Sequence, residues 1–249
     1  MYMSKLYNSF TQITIQSKPQ IHTEDKYLRF LSGTGFFIYC PPYENDIFFV
    51  TANHCLREYD KNSEKSNKME FQGNPEIYYT LCGKPSDPTI NFIDFLEYSS
   101  DSSSDIDDIL IGIIDKSDFT NYSLLKQRAL KLINQDNINN ILMQKEGNFI
   151  AIGYPKTDSK ILHDENWIIA QPKRLLGKFR KTDKQHYYEI YDTNWEGKSL
   201  NGFSGSPVIY DTDKKQEPIL LGIITNQKRF LSTNLVTDTI TQYLYNGIK

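Results

Sequence analysis

Short runs of apolar, β-branched and aromatic residues recur along most of the chain, and this pattern is typical of β-strands. Residues 109–114 and 219–224 are continuously apolar, which predicts strands that are buried on both faces. An alternating run at 10–15 predicts an edge strand. The other predicted strands are 33–39, 46–51, 76–81, 89–98, 148–153, 167–172, 177–180, 187–192 and 206–210.

Two segments depart from this β rhythm. Apolar side chains stand at helical spacing over 123–133, and Asn-rich, turn-prone sequence follows them. Near the C-terminus Leu235, Ile240 and Leu244 also stand at about helical spacing. The sequence therefore predicts a mostly β protein that contains one inserted helix and ends in another from residue 234.

Composition narrows the classes of partner. The chain has 249 residues, 39% of them hydrophobic, and a net charge of −3. This charge gives no overall attraction to nucleic acid or to an anionic membrane. Residues 172–181 form the one dense basic run, which is either a solvated hairpin or a contact for a phosphate backbone. We favour the hairpin because the flanking sequence is acidic, and we expect neither nucleic acid nor membrane as a partner.

The first residues lack the apolar run of a secretory signal, so the sequence predicts a cytoplasmic protein. Its three cysteines, Cys40, Cys55 and Cys82, are an odd number and argue against a secreted disulfide framework. We expect all three to be reduced. No Cys or His spacing suggests a metal site, and no cofactor is expected.

Candidate chemistry centres on Ser204, which lies between glycines in the stretch 201–208. Small neighbours on a tight turn expose a hydroxyl and let backbone N–H groups approach the atom that it attacks. A serine needs a base, and His54 stands where a predicted strand ends. Asp108, directly before a buried strand, is the best-placed acid to orient that base, with Asp107 and Asp105 as rivals. A surface turn is the alternative for the glycine-rich stretch.

Three blocks of this sequence, 49–55, 108–112 and 202–207, together resemble the signature blocks of chymotrypsin/trypsin-like serine peptidases. In style they are closest to the bacterial intracellular and glutamyl-endopeptidase branches. The order His, Asp, Ser is also that of this fold. The resemblance implies an all-β fold of two six-stranded antiparallel barrels. It implies His54, Asp108 and Ser204 as the catalytic triad, and the N–H groups of Gly202 and Ser204 as the oxyanion hole.

With the resemblance, the predicted organisation has four parts. Residues 1–115 form an N-terminal barrel that carries the histidine and the aspartate, and 116–146 form a linker with a helix. Residues 147–233 form a C-terminal barrel that carries the serine, and 234–249 form the C-terminal helix.

The sequence departs from the family pattern at several positions. Phe203 replaces the aspartate that pairs with a new N-terminal ammonium in digestive relatives, so that ion pair does not form the oxyanion hole here. The hole is then either preformed or assembled by a partner or a loop shift. Many relatives have a serine on the strand at 221–225 that contacts the catalytic aspartate. Ile223 stands near that position here, so this polar support is either absent or supplied by Thr225. In digestive relatives the cysteine after the histidine pairs with one just before the Gly-rich strand, and because Ser32 stands at that position here, the resemblance implies that Cys55 lacks this partner.

We expect two segments to form the walls of the substrate-binding cleft and to set its specificity. Lys198, Ser199 and Asn201 precede the nucleophile, and Ile223 and Thr225 lie on the facing strand. No aspartate stands at the pocket floor that trypsin-like cleavage requires. Lys198 either favours an acidic side chain at the cut or is a solvated loop residue.

The sequence thus predicts a serine endopeptidase that hydrolyses peptide bonds through an acyl-enzyme. Its cytoplasmic setting suggests limited proteolysis of chosen protein partners, with a possible activating protein partner. The alternative is a catalytically silent trypsin-like fold used as a protein-interaction module. A third hypothesis, nucleic-acid binding through residues 172–181, predicts salt-sensitive binding.

Overall fold

β-Strands dominate the described part of the chain. The computed structural model describes residues 9–17, 29–41, 43–59, 69–71, 73–77, 89–98, 108–117, 122–132, 135–144, 146–158, 160–162, 167–195, 198–210, 218–226 and 228–247. The strands are β1 (Phe10–Ser17), β2 (Arg29–Cys40), β3 (Tyr43–Thr51), β4 (Arg57–Tyr59), β5 (Met69–Phe71), β6 (Gly73–Ile77), β7 (Phe92–Glu97), β8 (Leu110–Ile114), β9 (Leu130–Lys131), β10 (Glu146–Gly153), β11 (Lys160–Leu162), β12 (Trp167–Ile169), β13 (Lys173–Lys181), β14 (Tyr187–Tyr191), β15 (Pro207–Tyr210), β16 (Ile219–Asn226) and β17 (Arg229–Ser232). The α-helices are α1 (Tyr122–Arg128), α2 (Gln135–Leu142) and α3 (Thr233–Gly247).

The N-terminal half forms a seven-stranded sheet with the path β6-β1-β2-β3-β8-β7, to which β9 adds by pairing with β2. Every pairing along that path is antiparallel, whereas β9 runs parallel to β2. β8 lies between β3 and β7 and is buried along its whole length, as its continuous apolar run predicts. The inner face of the sheet packs fully buried side chains such as Phe37, Phe49 and Leu110.

The C-terminal half forms a closed barrel in the order β10-β13-β14-β17-β16-β15. Its interior is filled by aromatic and aliphatic side chains that include Phe149, Phe179 and Phe230. The predicted all-β fold class is confirmed: six strands follow one path in the first sheet, six close into a barrel in the second, and a helix ends the chain.

The two sheets share a core along the seam between them. Phe10 from the first sheet packs against Tyr154, which follows β10 of the second, with ring centroids 5.7 Å apart. The same buried cluster contains Val50, Ile152 and Leu235, so both sheets and α3 contribute to it. This shared core fixes the position of one sheet on the other and hence of any site that lies between them.

Several local predictions were wrong. β1 is an interior strand rather than an edge strand, because β6 pairs with its second side. The helix predicted at 123–133 ends at Arg128, and Leu130 and Lys131 form a strand instead. The Asn-rich segment that follows is not a turn throughout, since α2 lies within it. Within the described ranges, no helix is long and apolar enough to cross a membrane.

Candidate active site

His54 lies in a short 3₁₀ turn, Asn53–Cys55, that follows the end of β3. Two backbone bonds close this turn, from Cys55 N–H to Ala52 C=O (3.0 Å) and from Leu56 N–H to Asn53 C=O (3.0 Å). Asn53 and Cys55 are buried, whereas 44% of the His54 side chain is exposed. The turn therefore anchors its flanking residues in the core and projects the imidazole outward.

Asp108, which lies just before β8, holds this imidazole. Its carboxylate oxygens lie 2.9 and 2.8 Å from His54 Nδ1, and Oδ1 also accepts the His54 backbone N–H at 3.0 Å. The Asp108 carbonyl accepts the Asn53 N–H at 3.2 Å. Because carboxylate oxygens accept hydrogen bonds, this contact favours the imidazole tautomer that carries its proton on Nδ1, with Nε2 on the opposite side of the ring. That tautomer is the one a general base requires.

The register of the first sheet explains how two residues 54 positions apart meet. β3 and β8 pair with Thr51 opposite Leu110. His54 lies just beyond the end of β3, and Asp108 lies just before the start of β8, so both fall at the same edge. The rival carboxylates Asp107 and Asp105 lie outside the described residues.

Ser204 lies in a tight loop that depends on two glycines. Gly202 has φ +98° and Gly205 has φ +82°, in the left-handed region that favours glycine. A Cβ at Gly202 would overlap the Tyr154 carbonyl oxygen, and one at Gly205 would overlap the Thr34 carbonyl oxygen. The pattern of glycines around the serine is therefore required by close approaches of backbone as well as by φ.

The serine loop rests directly on the sheet that carries the histidine. Thr34 N–H, on β2, donates to the Ser204 carbonyl oxygen at 2.9 Å. Cys55 Sγ, in the residue after His54, lies 3.5 Å from the same oxygen. The fold thus brings the backbone of the predicted nucleophile to the turn of the predicted base, across the seam between the two sheets.

The backbone N–H groups around Ser204 fall into two classes. Phe203 N–H donates to Leu200 C=O (2.9 Å) and Gly205 N–H donates to Ile224 C=O (2.6 Å). By contrast, the N–H groups of Gly202 and Ser204 donate to no acceptor among the described residues. These are the two donors that the resemblance assigns to the oxyanion hole.

The peptide between Asn201 and Gly202 has a fixed orientation. The Asn201 carbonyl accepts the Lys156 N–H at 2.8 Å. Because C=O and N–H point in opposite directions across a trans peptide, this bond directs the Gly202 N–H away from Lys156.

Phe203 stands where the resemblance implies the aspartate of digestive serine peptidases. Its side chain has no exposed surface and meets Trp195 edge-on, with centroids 5.4 Å apart and an interplanar angle of 77°. It belongs to the interior core of the closed barrel. An apolar anchor therefore holds the loop at the point where those relatives use an ion pair.

The predicted specificity residues divide into exposed and buried groups. Lys198 is exposed, and its Nζ lies 4.8 Å from the centre of the Trp195 ring. Ser199 Oγ accepts the Asn201 N–H at 3.2 Å, which rigidifies the wall before the nucleophile. Ile223 and Thr225 are 0% and 2% exposed. Their side chains present almost no surface to a substrate, so any contact from this strand would use its backbone.

Polar support for Asp108 from β16 is absent within the described ranges. Ile223 is packed in the shared core, and the buried Thr225 hydroxyl has no hydrogen-bond partner there. The hydrogen bonds that Asp108 accepts come from the turn that carries His54.

The residue opposite Cys55 is Gly33, which corrects the assignment of that position to Ser32. A Cβ at Gly33 would lie 3.2 Å from Cys55 Cβ and closer still to its Sγ. Ser32 instead donates its hydroxyl to the Cys55 carbonyl oxygen.

Cys40 and Cys55 are free and buried, and Cys82 lies outside the described residues. Burial raises the pKa of both described thiols to about 12.

Sequence reasoning missed one residue of the site, Thr34. Its buried hydroxyl donates to the Gly202 carbonyl oxygen at 2.8 Å and accepts the Tyr154 N–H at 3.0 Å. The available signal was a threonine between Gly33 and Gly35 at the start of a predicted strand.

Within the described ranges, no group of three or more His, Cys, Asp or Glu side chains is placed to hold a metal ion.

Comparison with known proteins supports the fold. No family model matches the sequence, and no curated protein matches it. Among solved structures, the thermostable serine protease AL20 from an extremophilic microorganism is similar, with a TM-score of 0.56 and 10% sequence identity. The match covers 94% of this chain and 96% of that chain. At this identity the similarity shows a shared chymotrypsin-like fold.

Proposed function

We propose that this protein is a serine endopeptidase in which Ser204 is the nucleophile, His54 the general base and Asp108 the group that orients the base. The observation that carries the proposal is the pair of short contacts from Asp108 to His54 Nδ1, at 2.8 and 2.9 Å, beside a serine loop with two N–H donors that have no acceptor among the described residues. Fold similarity to a serine protease adds to it. A Gly-Ser-Gly surface turn would require neither feature.

The reaction follows from these roles. As Ser204 Oγ bonds to the substrate carbonyl carbon, His54 Nε2 takes the hydroxyl proton, and Asp108 stabilises the resulting imidazolium. The carbonyl oxygen becomes an oxyanion and accepts hydrogen bonds from the N–H groups of Gly202 and Ser204. When the C–N bond breaks, His54 gives its proton to the leaving amine. Water then repeats the sequence on the acyl-enzyme and regenerates the serine.

The oxyanion hole in this proposal is preformed and needs no newly cut N-terminus. Lys156 holds the Asn201 carbonyl, and Phe203 is buried against Trp195, so the loop is fixed by groups that the chain already contains. A protein partner would then act by delivering substrate or opening access, rather than by creating the hole. Limited cleavage of cytoplasmic protein partners remains the proposed setting.

The test is a peptide-library cleavage assay on the wild type and on Ser204→Ala, His54→Ala and Asp108→Asn. Removing one member of such a triad lowers kcat by roughly 10⁴- to 10⁶-fold, and we expect losses in that range. Ser206→Ala is the matched control, because its hydroxyl lies in the same loop but is buried and cannot reach a substrate. Absence of cleavage by the wild type, or undiminished cleavage by Ser204→Ala, would contradict the proposal and favour the binding module.

The same library defines the role of Lys198. If its ammonium lines the cleft, the wild type prefers an acidic side chain at the cut, and Lys198→Gln removes that preference through KM. If the profile of Lys198→Gln equals that of the wild type, this lysine is a solvated surface residue that only stacks on Trp195.

Two basic residues of β13 are paired with acidic side chains from the neighbouring strand and turn. Lys178 Nζ lies 2.8 Å from Asp192, and Arg180 lies 2.7 Å from Glu189. These pairs reduce the positive field that a phosphate backbone requires. The observation disfavours the nucleic-acid hypothesis, and absence of a mobility shift at low salt would exclude it.

A further inference from the structure

Thr34 belongs to the first sheet but makes its polar contacts with both halves of the molecule. Its N–H donates to Ser204 C=O (2.9 Å), and its hydroxyl donates to Gly202 C=O (2.8 Å). The same hydroxyl oxygen accepts Tyr154 N–H (3.0 Å), and its carbonyl accepts the Thr51 hydroxyl (2.8 Å). The residue has no exposed surface. Its hydroxyl thus uses its one proton and one of its lone pairs on two backbone segments of the other half.

The hydroxyl acts on the peptide that follows Gly202. That peptide is held at both ends, because Thr34 binds its oxygen and Leu200 C=O accepts its Phe203 N–H at 2.9 Å. Glycine with φ +98° has no Cβ to resist rotation, so this position relies on hydrogen bonds for its orientation. This peptide joins the two peptides that carry the donor N–H groups of Gly202 and Ser204, so release of its oxygen would change the spacing between those donors.

Packing around the hydroxyl restricts it to this role. A Cβ at Gly153 would lie 3.0 Å from Thr34 Oγ1 and 2.9 Å from the Phe203 ring. The threonine hydroxyl, the glycine at the end of β10 and the buried ring therefore fill one space. The direct hydrogen bonds already satisfy the hydroxyl, so it does not require a bridging water.

We propose that Thr34 is a positioning residue for the oxyanion hole: its hydroxyl fixes the Gly202 carbonyl, and thereby the peptide that sets the spacing between the Gly202 and Ser204 N–H groups. This inference rests on the proposed peptidase function. It assigns to the first sheet a part in transition-state stabilisation in addition to carrying the base. The effect should fall on kcat, because the oxyanion exists only in the transition state and intermediate.

The test compares Thr34→Val, which removes the hydroxyl at nearly constant shape, with Thr34→Ser, which keeps it. We expect Thr34→Val to lower kcat by roughly 10- to 100-fold with KM changed less than about twofold, since a small misplacement at the reacting centre costs about this much. Thr34→Ser should restore kcat to within about threefold. Thr233→Val is the matched control, because its buried hydroxyl bonds the Leu220 carbonyl and not the serine loop.

A second measurement follows the loop without using activity. Hydrogen exchange at the Phe203 amide should accelerate at least about tenfold in Thr34→Val but not in Thr34→Ser or Thr233→Val, under conditions where all variants are folded. Unchanged kcat in Thr34→Val, or equal losses in Thr34→Val and Thr233→Val, would overturn the inference. If the wild type cleaves nothing, the proposed function fails separately. In that case an unchanged Phe203 exchange rate in Thr34→Val would also overturn the positioning role.

Discussion

A cysteine introduced by Gly33→Cys should form a disulfide with Cys55 and crosslink β2 to the turn that carries His54. A Cβ built at Gly33 lies 3.2 Å from Cys55 Cβ, slightly inside the usual disulfide range of about 3.5 to 4.5 Å. A backbone adjustment of a few tenths of an ångström is enough to reach that range. The Ser204 carbonyl oxygen, 3.0 Å from the new Cβ, must give by a similar amount.

The size of the effect follows from the loop that the bond would close. Gly33 and Cys55 are about 22 residues apart, and the chain-entropy relation gives about 3 kcal/mol of stabilisation at 25 °C for such a loop. The tight approach of the two Cβ atoms subtracts some strain. We therefore expect oxidised Gly33→Cys to gain about 2 to 3 kcal/mol in free energy of unfolding over its own reduced form.

The assay is urea unfolding of Gly33→Cys with and without a reductant, together with intact mass and a thiol count. Gly33→Ala is the matched control, because it adds the crowded Cβ without the second sulfur and should only destabilise. If Gly33→Cys keeps all of its thiols free under oxidising conditions, Gly33 does not face Cys55. The predicted contact between β2 and the histidine turn would then be wrong.

Three further predictions concern the interior of the site. Phe203→Ala should lower the free energy of unfolding in urea by about 3 to 5 kcal/mol, because the ring is fully buried against Trp195, and a loss below about 1 kcal/mol would refute the anchor. Cys40 and Cys55, with pKa values raised by burial to about 12, should not react with iodoacetamide at pH 8 until urea is added. Alkylation mapped to Cys40 or Cys55 in the native protein would contradict this. Gly205→Ala should abolish peptide cleavage, because φ +82° and a collision with the backbone of β2 prevent the loop from closing; wild-type kinetics would refute this.

The strands that flank the candidate triad residues could be predicted from sequence because their patterns are local. β8 is a continuous apolar run, and the acid at its start is held by the same sheet register that places His54. The glycines beside Ser204 predict a tight turn, and the two glycines with positive φ in the described part of the chain lie in it.

Other features depend on tertiary partners that no local pattern contains. The helical spacing at 123–133 is real, but pairing of Leu130 with Ile38 on β2 draws the end of that segment into the sheet. α2 forms in turn-prone sequence because Ile138 and Leu142, four residues apart, bury one face against the closed barrel. β1 gains its second neighbour from β6, which follows it by more than 50 residues.

The site itself shows the same division. Residue types identify a nucleophile, a base and an acid, because each kind of chemistry needs a particular side chain. The groups that would aim the oxyanion hole are a threonine hydroxyl on the first sheet and the backbone of Lys156, and neither carries a signature in sequence. The resemblance points to Ser32 as the position that corresponds to a disulfide partner of Cys55, whereas a Cβ at Gly33 would lie against Cys55, because facing residues are set by strand geometry and not by chain neighbours.

The most direct measurement of the central claim is covalent labelling by a fluorophosphonate, mapped by mass spectrometry. A base-activated serine beside an oxyanion hole reacts with this probe, whereas a serine on an ordinary surface turn does not. The account predicts one adduct, on Ser204, that is absent in Ser204→Ala, strongly slowed in His54→Ala and retained in Ser206→Ala. A folded wild-type protein that acquires no adduct, or acquires it on another serine, would contradict the account.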